Sequence, residues 1–171
     1  NGIQYWTVPY TGTYSIETWG ADGGNTTYSS TKIGGQGARM KSNFELTVGE
    51  TLKILVGQKG ETQYYASGGG GGSFVATLDD DPLIVAGGGG GVDRSYDNYY
   101  EFGTTSESGN QSSNSDNGGT NGYGGGGHSS GGSGGGGFYG SGGDGYSSCS
   151  PGIAFIDGGA GGDNYDSDGG E

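Results

Sequence analysis

Gly68-Gly69-Gly70-Gly71-Gly72-Ser73-Phe74-Val75-Ala76-Thr77-Leu78-Asp79-Asp80-Asp81-Pro82-Leu83-Ile84-Val85-Ala86-Gly87-Gly88-Gly89-Gly90-Gly91 is the stretch on which the fold turns. It holds two apolar runs of strand length, rich in Val, Ile and Phe, joined by an acidic turn that ends in Pro82. A block of glycines brackets the pair on each side. Two more blocks, Gly124–Gly127 and Gly134–Gly137, follow, and glycine makes up 47 of the 171 residues. Composition alone reads such blocks as flexible linker. An apolar run, Ile153-Ala154-Phe155-Ile156, returns after them. A strand that closes a sheet must lie beside the earlier strands. The glycine-rich region is therefore expected to be an insertion packed on or within one domain, and ordered.

Ordering glycine is demanding. It loses more backbone freedom on folding than any other residue, and fixing the run glycines opposes folding by on the order of 30 kcal/mol. No side chains are buried in return. Polyproline II helices have three residues per turn and no internal hydrogen bonds. Their amides and carbonyls can bond sideways to parallel neighbours, and only glycine lets those backbones close up. Each bond contributes about 0.5–1.5 kcal/mol net, so the glycine blocks need a conventional core beside them. The expectation is a bundle of glycine helices over 68–72, 87–91, 124–127 and 134–137, centred on Gly70, Gly89, Gly126 and Gly136.

The core comes from alternating segments. Ile3-Gln4-Tyr5-Trp6-Thr7-Val8, Thr13-Tyr14-Ser15-Ile16-Glu17-Thr18-Trp19 and Ala38-Arg39-Met40-Lys41-Ser42-Asn43-Phe44-Glu45-Leu46 have the period of two of a half-buried strand. Leu52-Lys53-Ile54-Leu55-Val56 adds a shorter run, and no stretch has a helical period. Seven strands suit an all-β sandwich. Alternation nominates Trp6, Tyr14, Ile16, Phe44, Leu46, Ile54, Val56, Phe74, Leu83, Val85 and Phe155 as its core. The reading is one domain over 1–171, with strands mainly in 1–92 and 153–157, a polar and glycine-rich insertion over 93–152, and an acidic tail over 158–171.

Charge excludes several functions. The chain carries 6 basic and 19 acidic residues, a formal net charge of −13, and every basic residue lies before residue 95. Binding nucleic acid or an anionic membrane needs clustered Lys and Arg, which are absent. No apolar stretch is long enough for a transmembrane helix. A chain that starts at Asn1 is expected to be a processed or excised piece of something longer. The single Cys149 forms no internal disulfide; a buried or inert thiol is the preferred reading, and an intermolecular bridge the alternative. Asn25-Thr26-Thr27 and Asn110-Gln111-Ser112 match the N-glycosylation acceptor pattern, which favours secretion.

Catalytic chemistry is not visible. His128 is the only histidine, so there is neither a zinc cluster nor a histidine-based nucleophile set. The glycine runs lack the Lys-Ser/Thr ending of a phosphate loop. We read no enzyme and no cofactor. Asn164-Tyr165-Asp166-Ser167-Asp168-Gly169 places oxygen ligands at alternate positions before a glycine, as in the first half of a calcium loop. That makes Asp166 and Asp168 calcium candidates, but Glu171 ends the chain before a twelfth-position Glu, and a solvated tail is the preferred reading. Tyr96-Asp97-Asn98-Tyr99-Tyr100-Glu101-Phe102 packs four aromatics into seven residues outside the strand pattern. Tyr96, Tyr99, Tyr100 and Phe102 therefore form either a contact patch or a cover for the glycine bundle.

Several segments in order resemble a known family. They are Gly2-Ile3-Gln4-Tyr5-Trp6-Thr7-Val8-Pro9, Gly20-Ala21-Asp22-Gly23-Gly24, Leu52 to Glu61, Gly68–Gly72 with Ser73-Phe74-Val75, Pro82 to Gly90, and the blocks from Gly124 to Gly137. Together they are similar to the glycine-rich extracellular domain of the anaplastic lymphoma kinase and leukocyte tyrosine kinase receptors. The resemblance implies a tumour-necrosis-factor-like, jelly-roll type β-sandwich carrying polyproline II glycine helices. It also implies an extracellular location. The cysteines of that receptor domain are missing here, and no ligand-binding residue is carried over.

Two functions are expected. One is an extracellular structural module that self-assembles into a fibre or matrix through β edges and glycine helices. The alternative is a recognition module, from a receptor ectodomain or adhesin, that binds another extracellular protein.

Overall fold

In the computed structural model, residues 2–28, 30–64, 66–92, 102–111, 117–127, 133–145 and 150–162 are described. Among these residues six strands form, three in the alternating segments and three in the shorter apolar runs: β1 (Gln4–Thr7), β2 (Gly12–Trp19), β3 (Arg39–Leu46), β4 (Thr51–Leu55), β5 (Ser73–Thr77) and β6 (Pro82–Ala86). They make two antiparallel sheets, one in the order β1-β4-β5-β6 and one of β2 with β3. The acidic segment after β5 is the expected turn. The Asp81 amide donates to the Thr77 side chain, and Asp80 takes a φ of 63°.

In the four-stranded sheet β4, β5 and β6 are covered on both faces, which divides the nominated core in two. On one face Val8, Leu52, Val75 and Ile84 meet Leu46, with Tyr14, Ile16, Met40, Phe44, Ile54 and Leu83 packed around them. On the other, Leu55, Phe74 and Ala76 meet Phe138 and Phe155, with Ile3 and Val85 beside them. Ile54 pairs with Val75 and Leu55 with Phe74, so neighbouring positions serve opposite cores. Two nominations need correction. Val56 follows the end of β4 and is exposed, and Trp6 sits on the edge strand and is only partly covered.

The run 153–156, expected as a seventh strand, is instead a 3₁₀ turn at Phe155–Asp157. Gly158 and Gly159, with φ of 115° and 65°, reverse the chain, and both their amides return to the turn. The run is apolar because Ala154 and Phe155 are plugged beneath the sheet. Burial of single residues gives the same composition as a short buried strand.

Register explains where the glycines go. Trp19 pairs with Arg39, Leu55 with Phe74 and Ser73 with Ala86, so β2, β3, β4, β5 and β6 all reach the glycine segments at one end of the sheets. The Ser73 hydroxyl donates to the Trp19 carbonyl at 2.6 Å and ties the two sheets together there. Five segments, 20–24, 34–38, 57–60, 67–72 and 87–92, leave this end side by side.

Their hydrogen bonds step by three residues. Gly20 and Gly23 donate to Ala38 and Gly35, Ala21 and Gly24 to Gly71 and Gly68, Ala38 and Gly35 to Gly87 and Gly90, and Ser67 and Gly70 to Val92 and Gly89. In each pair one chain ascends as the other descends, so these neighbours are antiparallel and not parallel as expected, because strands that reach one end of antiparallel sheets enter and leave it in opposite directions. A Cβ on Gly20, Gly70 or Gly89 would meet the carbonyl oxygen of Gly87, Ala21 or Gly35 respectively. Close approach, not turn geometry, dictates glycine at these places.

A second glycine assembly forms from the insertion. Gly134 and Gly137 donate to Gly143 and Gly140, and Gly152 and Phe155 donate to Gly134 and Gly137. The first pair of segments runs antiparallel and the second parallel, again in steps of three. The four expected runs are thus divided between two assemblies. Each assembly recruits shorter glycine pieces, such as 20–24 and 140–143, that their length alone does not mark out.

Candidate assembly surface

Among the described residues β1 is an edge strand, bonded only to β4. Val8, just beyond it, donates to Glu50 and accepts from Gly49. By the alternation of an antiparallel ladder, Tyr5 and Thr7 turn their amides and carbonyls away from β4. All four β1 residues are exposed, Tyr5 by 64%. The two-stranded sheet adds further edges along β2 and β3. Such edges are templates for another strand unless they are blunted by charge, proline or a bulge. β1, Gln-Tyr-Trp-Thr, has no charge and no proline.

Aromatic rings surround that edge. Trp6 meets Tyr14 edge-on with centroids 5.5 Å apart, and Tyr10 stacks on Tyr14 at 5.6 Å. The Tyr14 hydroxyl donates to the Tyr10 carbonyl at 2.7 Å, which fixes the Pro9–Thr11 turn under the rings. Tyr10 is 67% exposed. The outer face of β2 and β3 carries charge instead. Glu17 accepts from Arg39 and pairs with Lys41 at 3.7 Å, and the Arg39 guanidinium lies over Trp19.

A second concave feature lies between the two glycine assemblies. It is a cleft of about 890 Å³ bounded by Met40 and Phe44 of β3, Leu83 and Val85 of β6, Gly87–Gly91 and Gly134–Gly137. Phe102 stands at it and is 52% exposed. Tyr96, Tyr99 and Tyr100, the rest of the expected aromatic patch, lie outside the described residues, as do His128, Cys149, Asp166 and Asp168. Among the described residues no group of three His, Cys, Asp or Glu side chains is placed to hold a metal, and no helix is long and apolar enough to cross a membrane.

Gly70 and Gly89 are bonded to each other at the centre of the first assembly. Gly126 donates to Asn117, and a Cβ on Gly136 would meet the Ile153 carbonyl. Both sequon asparagines use their side chains internally. The Asn25 Oδ1 accepts from the Gly34 amide at 3.0 Å, and the Asn110 Nδ2 donates to the Phe102 carbonyl at 3.2 Å. Sequence reasoning passed over the β1 edge cluster as a contact surface, because it assigns Trp6 and Tyr14 to the core and gives Tyr5 and Tyr10 no role. It also passed over Phe138. The signal was a phenylalanine closing a glycine run, as Phe74 does after Gly68–Gly72. No protein-family model matches the chain.

Proposed function

We propose that this chain is a non-enzymatic extracellular structural module that assembles with copies of itself into a fibre or matrix. In this reading the two sheets are a tumour-necrosis-factor-like jelly-roll sandwich and the glycine segments are polyproline II helices. The three-residue step of their hydrogen bonds supports the helices, since that is the repeat of polyproline II. The observation that carries the function is the β1 edge, which no other described strand covers, with Tyr5, Trp6 and Tyr10 around it. A strand from a second copy satisfies the outward groups of Tyr5 and Thr7 while covering exposed rings. In this reading a glycine segment of another copy also adds to the perimeter of the glycine assemblies, which needs no side-chain code. The sequons and the resemblance to a receptor ectodomain favour the extracellular setting.

Negative-stain microscopy of the purified chain tests the assembly. Filaments or sheets are expected. Dispersed particles at every concentration would favour the recognition reading, for which the cleft between the glycine assemblies is the structural support.

A further inference from the structure

Tyr28 and Tyr64 meet ring to ring at the far end of the first glycine assembly, and the backbone there holds them in place. Beyond Gly24 and Gly60 the two chains continue together, with Thr26 and Gln63 forming a parallel bridge. The Gln63 amide donates to the Asn25 carbonyl at 3.0 Å and the Thr27 amide to the Gln63 carbonyl at 3.2 Å. Thr62 accepts from the Asn25 amide, and on the opposite side Thr26 exchanges both backbone bonds with Lys32. Thr26 is buried within this clamp. Just outside it the two phenol rings lie with centroids 5.2 Å apart and planes at 69°. They are 45% and 51% exposed, open to a soluble oxidant.

We propose that Tyr28 and Tyr64 are a site of oxidative phenol coupling, joined to each other as dityrosine by a peroxidase-class oxidant that consumes hydrogen peroxide. Each phenol loses one electron and its hydroxyl proton to give a phenoxyl radical. The two radicals pair their electrons in a new carbon–carbon bond between ring positions ortho to the oxygens. Each ring then moves its ortho hydrogen to oxygen and becomes aromatic again. The product has lost two hydrogens in all, and the peroxide is reduced to two waters. Coupling needs the rings held together for the lifetime of the radicals, and the clamp supplies that proximity.

The other tyrosine pairs among the described residues are less suited. Tyr123 and Tyr139 have centroids 6.5 Å apart. In the Tyr10–Tyr14 pair the Tyr14 ring is half-buried. With one cysteine in the chain, no internal disulfide can form. A Tyr28–Tyr64 bond does the same work, removing freedom from the unfolded chain between two segments that no other covalent link joins. The coupling is within one molecule and stands whether or not copies assemble.

The test uses the full chain, diluted until sedimentation shows monomer, treated with peroxidase and limiting peroxide. The monomer fraction is digested and the cross-linked peptides are assigned by fragmentation mass spectrometry. The expected main product joins Tyr28 to Tyr64, two hydrogens lighter than its two peptides, with a yield that does not fall on further dilution. Tyr28→Phe and Tyr64→Phe each abolish it, while both variants keep the circular dichroism of the parent. The cross-linked monomer melts at a higher temperature than the untreated chain. Dityrosine found only in dimers, a main product joining other tyrosines, or an unchanged yield in Tyr64→Phe would overturn the proposal.

Discussion

The ring of Phe138 stacks on that of Phe155 with centroids 4.9 Å apart and planes at 20°, and both rings reach Phe74 of β5. Phe138 closes the run Gly134–Gly137, and Phe155 follows Gly152. The second glycine assembly is thus clipped to the sheet by two aromatic anchors, while the first is continuous with the strands themselves. Glycine backbones bury little apolar surface, so the insertion depends on these anchors for its hold on the sandwich.

Phe138→Ala is accordingly expected to destabilise the chain by about 3–5 kcal/mol, the range for emptying a fully buried aromatic site. Tyr139→Ala, at the exposed neighbour, should be milder. Denaturant unfolding of the two variants checks the contrast. Equal effects would mean that Phe138 is not the anchor.

Glycine is required at some positions of the runs and not at others. A Cβ on Gly89 would meet the Gly35 carbonyl, whereas one on Gly87 has nothing within 4 Å. Gly89→Ala is expected to lower the melting temperature markedly, since two backbones must separate. Gly87→Ala should leave it unchanged or raise it slightly, because alanine restricts the unfolded chain by about 0.4–1 kcal/mol. A similar loss at both positions would contradict the described packing.

Thr18 sits on β2 opposite Met40, and its buried hydroxyl has no hydrogen-bond partner among the described residues. Thr18→Val keeps the β-branched shape and removes the unsatisfied group, which carries a penalty of about 1–3 kcal/mol. The variant is expected to be more stable by calorimetry. A destabilised Thr18→Val would mean that the hydroxyl is hydrated or bonded in solution.

Much of this fold was legible because its devices are local. Alternation located β1, β2 and β3, short apolar runs located β4, β5 and β6, and Asp79–Pro82 announced the turn between β5 and β6. The need of a strand-end glycine such as Gly20 for close approach was less visible. It depends on Trp19 pairing with Arg39, a relation set by register over the whole hairpin. Core assignment met a similar limit. Alternation says that Phe74 and Val75 face opposite ways, but not that both faces are covered, since the cover on the Phe74 side comes from Phe138 and Phe155, far along the chain. Ile153–Ile156 misled because four apolar residues look alike whether they pair as a strand or plug a cavity. The β1 edge was hidden by the same rule, since alternation marks a strand and says nothing about which strand lies outermost.

Edge pairing predicts a specific variant. Tyr5 turns its amide away from β4, so Tyr5→Pro deletes a donor that the folded chain does not use, and proline is tolerated at such edge positions. The variant should fold with the same circular dichroism as the parent and lose assembly. Filaments of unchanged abundance from Tyr5→Pro would exclude β1 as the contact.

The dependence of assembly on ionic strength tests the central claim most directly. With a net charge of −13, copies repel one another at low salt. The screening length falls from about 30 Å at 0.01 M to about 10 Å at 0.1 M. Sedimentation velocity across that range, repeated with calcium and with magnesium at matched ionic strength, is expected to show monomer giving way to larger species as salt rises. A strictly monomeric species under every condition would contradict self-assembly and leave the chain as a recognition module.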